Sequence, residues 1–308
     1  MKNPSPFHIH SISELHRLRK FPSPMHPSIS ILQLSAVNDE FLEVAGSMIF
    51  DFYCISLKRN FNLNLKYGQR RYDFDEGILY FMSPGQVFGM KQDETGAGNE
   101  VMGWMLLIHP DFLWNTPLAK SIKKYGFFDY SVNEALFLSD KEESIIVGIL
   151  QNIQQEYQGN MDKFSQHIII NHLEALLNYA DRFYHRQFMT RKIANHEILE
   201  RLEDVLTAAF SSDNLMCSGV PTVQQIADRL HLSRNYLSSL LTTTTGRNTQ
   251  QHIQEKLIAV AKERISSTNL SLSEIAYELG FEHPQSFSRI FKAKTGMSPL
   301  AFRESFND

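Results

Sequence analysis

The sequence predicts an α+β protein: an antiparallel β domain with helices appended, followed by an all-α domain carrying two helix-turn-helix units. Three observations predict it. Apolar and polar residues alternate with a period of two between residues 29 and 108, and the period changes to 3.6 after Pro110. A pattern at residues 222 to 246 then recurs about fifty residues later, at 271 to 296.

Length and composition bound these domains. At 308 residues the chain holds two cores of ordinary size. Lys and Arg number 30 against 34 Asp and Glu, so bulk charge does not announce a nucleic-acid binder. The only cysteines, Cys54 and Cys217, are far apart and lack metal-ligand spacing, as expected in a reducing compartment. No apolar run reaches the ~20 residues of a membrane span, and the start has no apolar signal core. The expectation is a soluble, cytoplasmic protein without a membrane partner.

Residues 1 to 28 contain Pro4, Pro6, Pro22, Pro24 and Pro27, which predicts an extended arm with one helical turn around 12 to 18. His8 and His10 form an H-x-H pair. With no third ligand evident, the expectation is a polar tail and no metal.

The β domain is placed at residues 29 to 110. Phe61, Leu63, Leu65 and Tyr67 alternate with Asn62, Asn64 and Lys66, as in a half-buried strand. Residues 47 to 57, 78 to 82 and 101 to 108 read as further strands. Between them lie turns such as Tyr67-Gly68, Glu76-Gly77 and Ser83-Pro84-Gly85. Short strands at this spacing suggest a sandwich or barrel. Tyr53, Tyr67, Tyr72, Phe88 and Trp104 either line a ligand pocket inside it or fill its core.

Residues 111 to 187 form the helical region. A capping box, Ser139-x-x-Glu142, opens a helix with Ile145, Ile146, Ile149 and Ile153 on one side. The next helix, about 161 to 188, has an apolar face wider than one intramolecular partner requires. Such a helix pair packs on the sheet, on a second subunit, or on both, and a homodimer contact through Ile168, Leu173, Leu176 and Ala180 is the favoured expectation. Residues 188 to 195 read as a linker, and 196 to 308 as the C-terminal domain.

In that domain each repeat begins with a capping box, Thr222-x-x-Gln225 and Ser271-x-x-Glu274. Gly280 supplies the left-handed residue that lets two helices cross steeply, and His231 stands at its place in the first unit. Pro284 fits the first position of a helix, and Gly246 and Gly296 fit helix ends. A helix from about 248 to 267 joins the units and is long enough to hold two reading helices in successive major grooves. Over residues 222 to 303, ten Lys/Arg face six Asp/Glu, a net of +4 in a chain that is acidic overall.

IAYELGF followed by SFSRIFKAKTGMSPLAFR makes the segment from about 197 to 306 resemble the AraC/XylS family of bacterial transcriptional regulators. The resemblance implies a seven-helix domain that binds double-stranded promoter DNA, often as an activator touching RNA polymerase. Carried onto this chain, it places Arg234, Asn235, Ser238 and Ser239 near the groove in the first unit. In the second it places Gln285, Ser286, Arg289 and Lys292. Arginine reads guanine bidentately and Asn or Gln reads adenine, so Arg289, Gln285 and Asn235 are the base-contact candidates. Lys292, Lys294 and Arg247 are expected on phosphate, and Leu237, Leu240, Leu241, Phe287, Ile290 and Phe291 in the core. Two departures stand out: His283-Pro284 before the second reading helix, and a TTTTG tail without basic residues in the first unit. The first unit is therefore expected to bind more weakly or more selectively.

The front half resembles the family's cupin-like effector and dimerisation domain, with residues 81 to 86 as its turn. A small-molecule effector is the implied ligand. Metal-binding cupins place histidine just after that turn, whereas Val87, Phe88 and Gly89 follow here. Residues 29 to 108 contain no histidine, which argues against a second reading, a cupin-type metalloenzyme fused to a DNA-binding tail. A third reading is an effector-less architectural DNA-binding protein.

Overall fold

The computed structural model describes residues 6–37, 47–59, 77–89, 101–130, 134–159, 161–190, 192–211, 215 and 219–305. The chain divides into two compact units, Met1–Thr190 and Arg191–Asp308.

The first unit is built on two sheets. Strands β2 (Ile29–Val37), β7 (Val101–Ile108), β4 (Tyr53–Arg59), β5 (Ile78–Met82) and β8 (Leu136–Phe137) form a five-stranded antiparallel sheet in that order. Strand β3 (Ser47–Phe50) lies between β6 (Val87–Gly89), antiparallel, and β1 (Phe7–Ile9), parallel. Strand β4 runs through the middle of the larger sheet, and Tyr53 to Lys58 are all buried. Cys54, Tyr80, Met82, Met105 and Leu107 meet Met48 and Phe50 of the smaller sheet in one core. On another side of the sheet, Phe81 packs against Phe127, Phe128 and Tyr184, with ring centroids 4.4 to 6.5 Å apart. Burial on both sides explains why β4 shows no alternation.

Several expectations change here, and one is untested. Residues 47 to 57 are not one strand. The chain bends at Asp51 and Phe52, and the two halves enter different sheets; the Asp51 carboxylate stays at the surface while Phe50 and Phe52 stack inside at 5.1 Å. The N-terminal segment is no polar tail: Ile9 and Ile12 are fully buried and Leu15 nearly so, on β1 and on helix α1 (Ile12–Leu18), where Ser11 caps the Glu14 amide at 3.2 Å. The expected strand at 61 to 67, with Tyr67 and Tyr72, lies outside the described residues.

A further change concerns the helices. After α2 (Leu118–Ser121), α3 (Asp140–Gln158) opens on the Ser139/Glu142 capping box, and Glu142 also accepts from Arg186 at 2.6 Å. Its buried face is Ile146, Leu150, Ile153 and Tyr157; Ile145 is exposed. Helix α4 (Ser165–Thr190) packs against α3 and β8, so its wide apolar face has two intramolecular partners. Leu173, Leu176 and Ala180 are consequently buried inside the protomer, and only Ile168 of the expected dimer residues is exposed, at 39%. The expected linker is largely helical: α4 continues to Thr190, with Phe188 buried, and α5 (Lys192–Ala209) starts two residues on.

The second unit continues with α6 (Val223–Leu230), α7 (Arg234–Thr245), α8 (Thr249–Ser267), α9 (Leu272–Glu278), α10 (Pro284–Thr295) and α11 (Pro299–Glu304). Helix α8 is the strut. Its Ile253, Leu257, Ile258, Ala261 and Ile265 are buried, and it contacts α6 and α7 on one hand, α9 and α11 on the other. No helix among the described residues is long and apolar enough to cross a membrane.

Candidate nucleic-acid interface

Both repeats fold as the capping signals predict. Thr222 Oγ1 accepts from the Gln225 amide at 3.3 Å while Gln225 Oε1 accepts from the Thr222 amide at 2.8 Å, closing the box that starts α6. Ser271 and Glu274 do the same for α9, at 3.2 and 2.7 Å. Hydrogen bonds to the carboxylate from the Ser271 side chain, then from its backbone amide, hold the Glu274 carboxyl below its ordinary value. Asn248 and Gln251 form a third box at the head of α8, at 3.0 and 2.8 Å.

The turns differ between the units in a way that has energetic content. His231 ends α6 at φ 58°, ψ 39°, and Gly280 serves the second turn at φ 81°. An L-residue there is strained, whereas glycine is not, although glycine costs more chain entropy. We therefore expect His231→Gly to leave the second unit's denaturant midpoint unchanged or raise its stability by up to about 1 kcal/mol. A marked loss of stability would show that the imidazole itself makes a contact the turn depends on.

The second helices of the two helix-turn-helix units, α7 and α10, sit on buried aromatic and aliphatic faces. Tyr236, Leu237, Leu240 and Leu241 bury one side of α7. Beneath α10 runs a row of rings, Phe281, Phe287, Phe291 and Phe302, with successive centroids 5.5 to 5.7 Å apart. Burying Phe287 and Phe291 contributes roughly 1.5–3 kcal/mol each, enough to lock the helix's rotation. Ile290, expected in the core, is only half-buried at the margin of that face.

The opposite faces are polar. On α7 Arg234 is exposed, with Asn235, Ser238 and Ser239 half-buried beside it. Thr242, one turn beyond Ser238, extends the row; nothing marks it in the sequence beyond that i,i+4 spacing. On α10 Gln285, Arg289, Lys292 and Lys294 are exposed and Ser286 is half-buried. Gln285, Arg289 and Lys292 follow at i, i+4 and i+7, so they form one stripe along the helix. Arg247 is held elsewhere: its Nη1 donates to Glu255 Oε2 at 2.7 Å, so a phosphate has to compete with that carboxylate. Lys256 with Glu203 and Arg264 with Glu278 are likewise ion pairs within the unit. The exposed cations of the stripe thus concentrate on α10.

In the first unit of the chain, Tyr53 lines a cavity of about 1210 Å³ with Trp114, Lys120, Lys123, Tyr125 and Asp129. Trp104 is buried in the large sheet and does not line it. Phe88 lies on β6, and its side chain is outside the described residues.

Residues 226–305 match the family model of a helix-turn-helix domain. The uncharacterized HTH-type transcriptional regulator YfiF of Bacillus subtilis is 30% identical over 242 residues, covering 78% of this chain and 73% of that protein. The C-terminal domain of the two-component response regulator yesN from Fusobacterium nucleatum is 26% identical and covers 34% of this chain and 95% of that one, with a TM-score of 0.30. A transcriptional regulator from Chromobacterium violaceum, described among AraC-type DNA-binding domain-containing proteins, is 20% identical, covering 34% and 93%, with a TM-score of 0.28.

Proposed function

Because the chain belongs to the AraC-type helix-turn-helix transcriptional regulators, we propose that it reads two successive major grooves of promoter DNA with α7 and α10. The observation that carries this is α8. At 19 residues it is about 28 Å long, close to the ~34 Å repeat of the major groove, and it braces both helix-turn-helix units. We assign base reading to Arg289, Gln285 and Asn235, and phosphate contact to Lys292 and Lys294. Arg234, Ser238, Ser239 and Ser286 position the two helices. The second unit dominates affinity, since the exposed cations gather there while Arg247 is already paired with Glu255.

The test is an operator selected from random sequence and then varied position by position. Arg289→Ala is expected to relax preference at one position and cost about 1–3 kcal/mol, whereas Lys292→Ala weakens all sequences alike and lowers the salt slope by about one. A uniform loss for Arg289→Ala would move that residue to the phosphate class.

We assign sensing and dimerisation to the first unit. The cavity beside Tyr53 joins aromatic walls to two lysines and two aspartates, which suits a small amphipathic effector rather than an apolar one. For a homodimer contact we propose the exposed edge of α4, where Ile168 lies one turn from Phe164, itself 57% exposed. Activation through RNA polymerase, in the cytoplasm, completes the reading on the strength of the family resemblance.

A further inference from the structure

A site unconnected with DNA reading lies at the opposite end of the chain. His8 and His10 are two residues apart along an extended segment, so their imidazoles project from the same side. Strand β1 runs parallel to β3 in the register His8↔Ile49 and Ile9↔Phe50, which brings the next residue of that chain, Asp51, beneath the two rings. The Asp51 amide donates to the Ile9 carbonyl at 3.1 Å and fixes the bend there. Glu14 Oε2 accepts from the His10 amide at 2.8 Å, so the backbone between the histidines and α1 is anchored as well.

The side chains converge. His8 Nε2 lies 2.6 Å from Asp51 Oδ1 and His10 Nδ1 lies 2.8 Å from Asp51 Oδ2, with ring centroids 4.1 Å apart and planes tilted by 43°. One ligand atom from each residue falls within 4.8 Å of the others. We propose that His8 Nε2, His10 Nδ1 and the Asp51 carboxylate bind a divalent transition-metal ion, zinc(II) foremost, with water completing its coordination.

The donor chemistry favours this class of ion. Two imidazoles and a carboxylate suit zinc and its first-row neighbours, while magnesium and calcium prefer all-oxygen shells. Metal–ligand bonds of about 2.0–2.2 Å in a tetrahedron put ligand atoms roughly 3.4 Å apart, a little wider than the present hydrogen bonds. Half-exposed side chains make that adjustment by small rotations, and the ion replaces the protons now shared between imidazole and carboxylate. His8 and His10 are exposed and Asp51 is half-buried, which leaves the remaining position open to water. The structural consequence is local: the ion ties β1 to the bend between β3 and β4, and with it the buried Ile9, Ile12 and Leu15 that lead into α1.

The experiment uses the tag-free full-length chain, stripped of metal and titrated with cobalt(II), followed by zinc competition. Visible cobalt absorption is expected to saturate at one equivalent per chain and to be displaced by zinc. His10→Ala and Asp51→Asn are each expected to weaken binding by at least about tenfold. Hydrogen exchange at Phe7 to Ile9 slows with zinc in the wild type and is unmoved by zinc in the variants. Far-UV circular dichroism checks their folding, and the near-isosteric His10→Gln replaces His10→Ala if the latter unfolds. The proposal is overturned if the wild-type chain takes up no cobalt at micromolar concentration. It is equally overturned if a His8→Gln/His10→Gln chain retains the full equivalent, which would place the ion on other histidines.

Discussion

Gly280→Ala is expected to unfold the second helix-turn-helix and abolish operator binding at physiological temperature. Two effects combine at this position. The backbone sits at φ 81°, where an L-residue costs about 1–2 kcal/mol. A Cβ at Gly280 would also stand 2.6 Å from the Gly219 Cα, 3.1 Å from its carbonyl carbon and 3.2 Å from the Val220 nitrogen. All three are backbone atoms, so no rotamer change relieves the contact, and the turn after α9 has to separate from the 219–220 segment. Gly296 provides the control: it has the same φ of 81°, but among the described residues nothing lies within 4 Å of its Cβ position. Gly296→Ala should therefore cost only the conformational part, about 1 kcal/mol. Gly280→Ala should cost about 3 kcal/mol or more, read as a fall in the second unit's melting midpoint of well over 10 °C. Equal losses for the two variants would mean that the close approach of the 219–220 segment contributes nothing.

The second large effect is expected from Leu176→Glu in α4. Leu176 is completely buried and has Leu173, Leu177 and Ala180 as buried neighbours on its own helix. The change forfeits roughly 2–3 kcal/mol of apolar burial and adds the cost of desolvating a carboxylate without a partner. The sum exceeds about 4 kcal/mol, so the first unit should lose its cooperative unfolding transition rather than yield a folded monomer. Ile168→Glu, at an exposed position on the same helix, should keep that transition within about 0.5 kcal/mol and, by our reading of the dimer, sediment as a monomer. A folded Leu176→Glu chain with an unaltered melt would sink the account of α4 as an internal helix.

The contrast between these helices shows where sequence reasoning was sufficient. Helices α6, α9 and α10 are announced by residues that act on their own neighbours. Thr222 and Ser271 cap amides three residues on, Pro284 presets φ at a helix start, and Gly246, Gly280 and Gly296 take the left-handed conformation. Even the irregular His231 is legible, because its conformation is required by the repeat. Each of these signals operates over three or four residues, within reach of local steric and hydrogen-bond rules.

The first unit is different because its decisive contacts are distant in sequence. Periodicity marks α4 as broadly apolar but does not say what covers it, so Leu173, Leu176 and Ala180 look like a partner's surface until α3 and β8 are in place. The apolar run from Ser47 to Leu57 hides a bend at Asp51, because each half is a good strand by itself. Likewise His8-Ile9-His10 lacks a third ligand until parallel pairing of β1 with β3 brings Asp51 from 41 residues away.

The amino-acid sequence alone therefore determined the tandem helix-turn-helix units, their caps and turns, and the concentration of positive charge around them. Tertiary structure decided which apolar faces are internal, which cations on the second unit remain exposed, and which residues meet His8 and His10. The physical reason is range. Backbone capping and helix geometry are settled between neighbours, while burial and side-chain convergence depend on long-range pairing that no local pattern encodes.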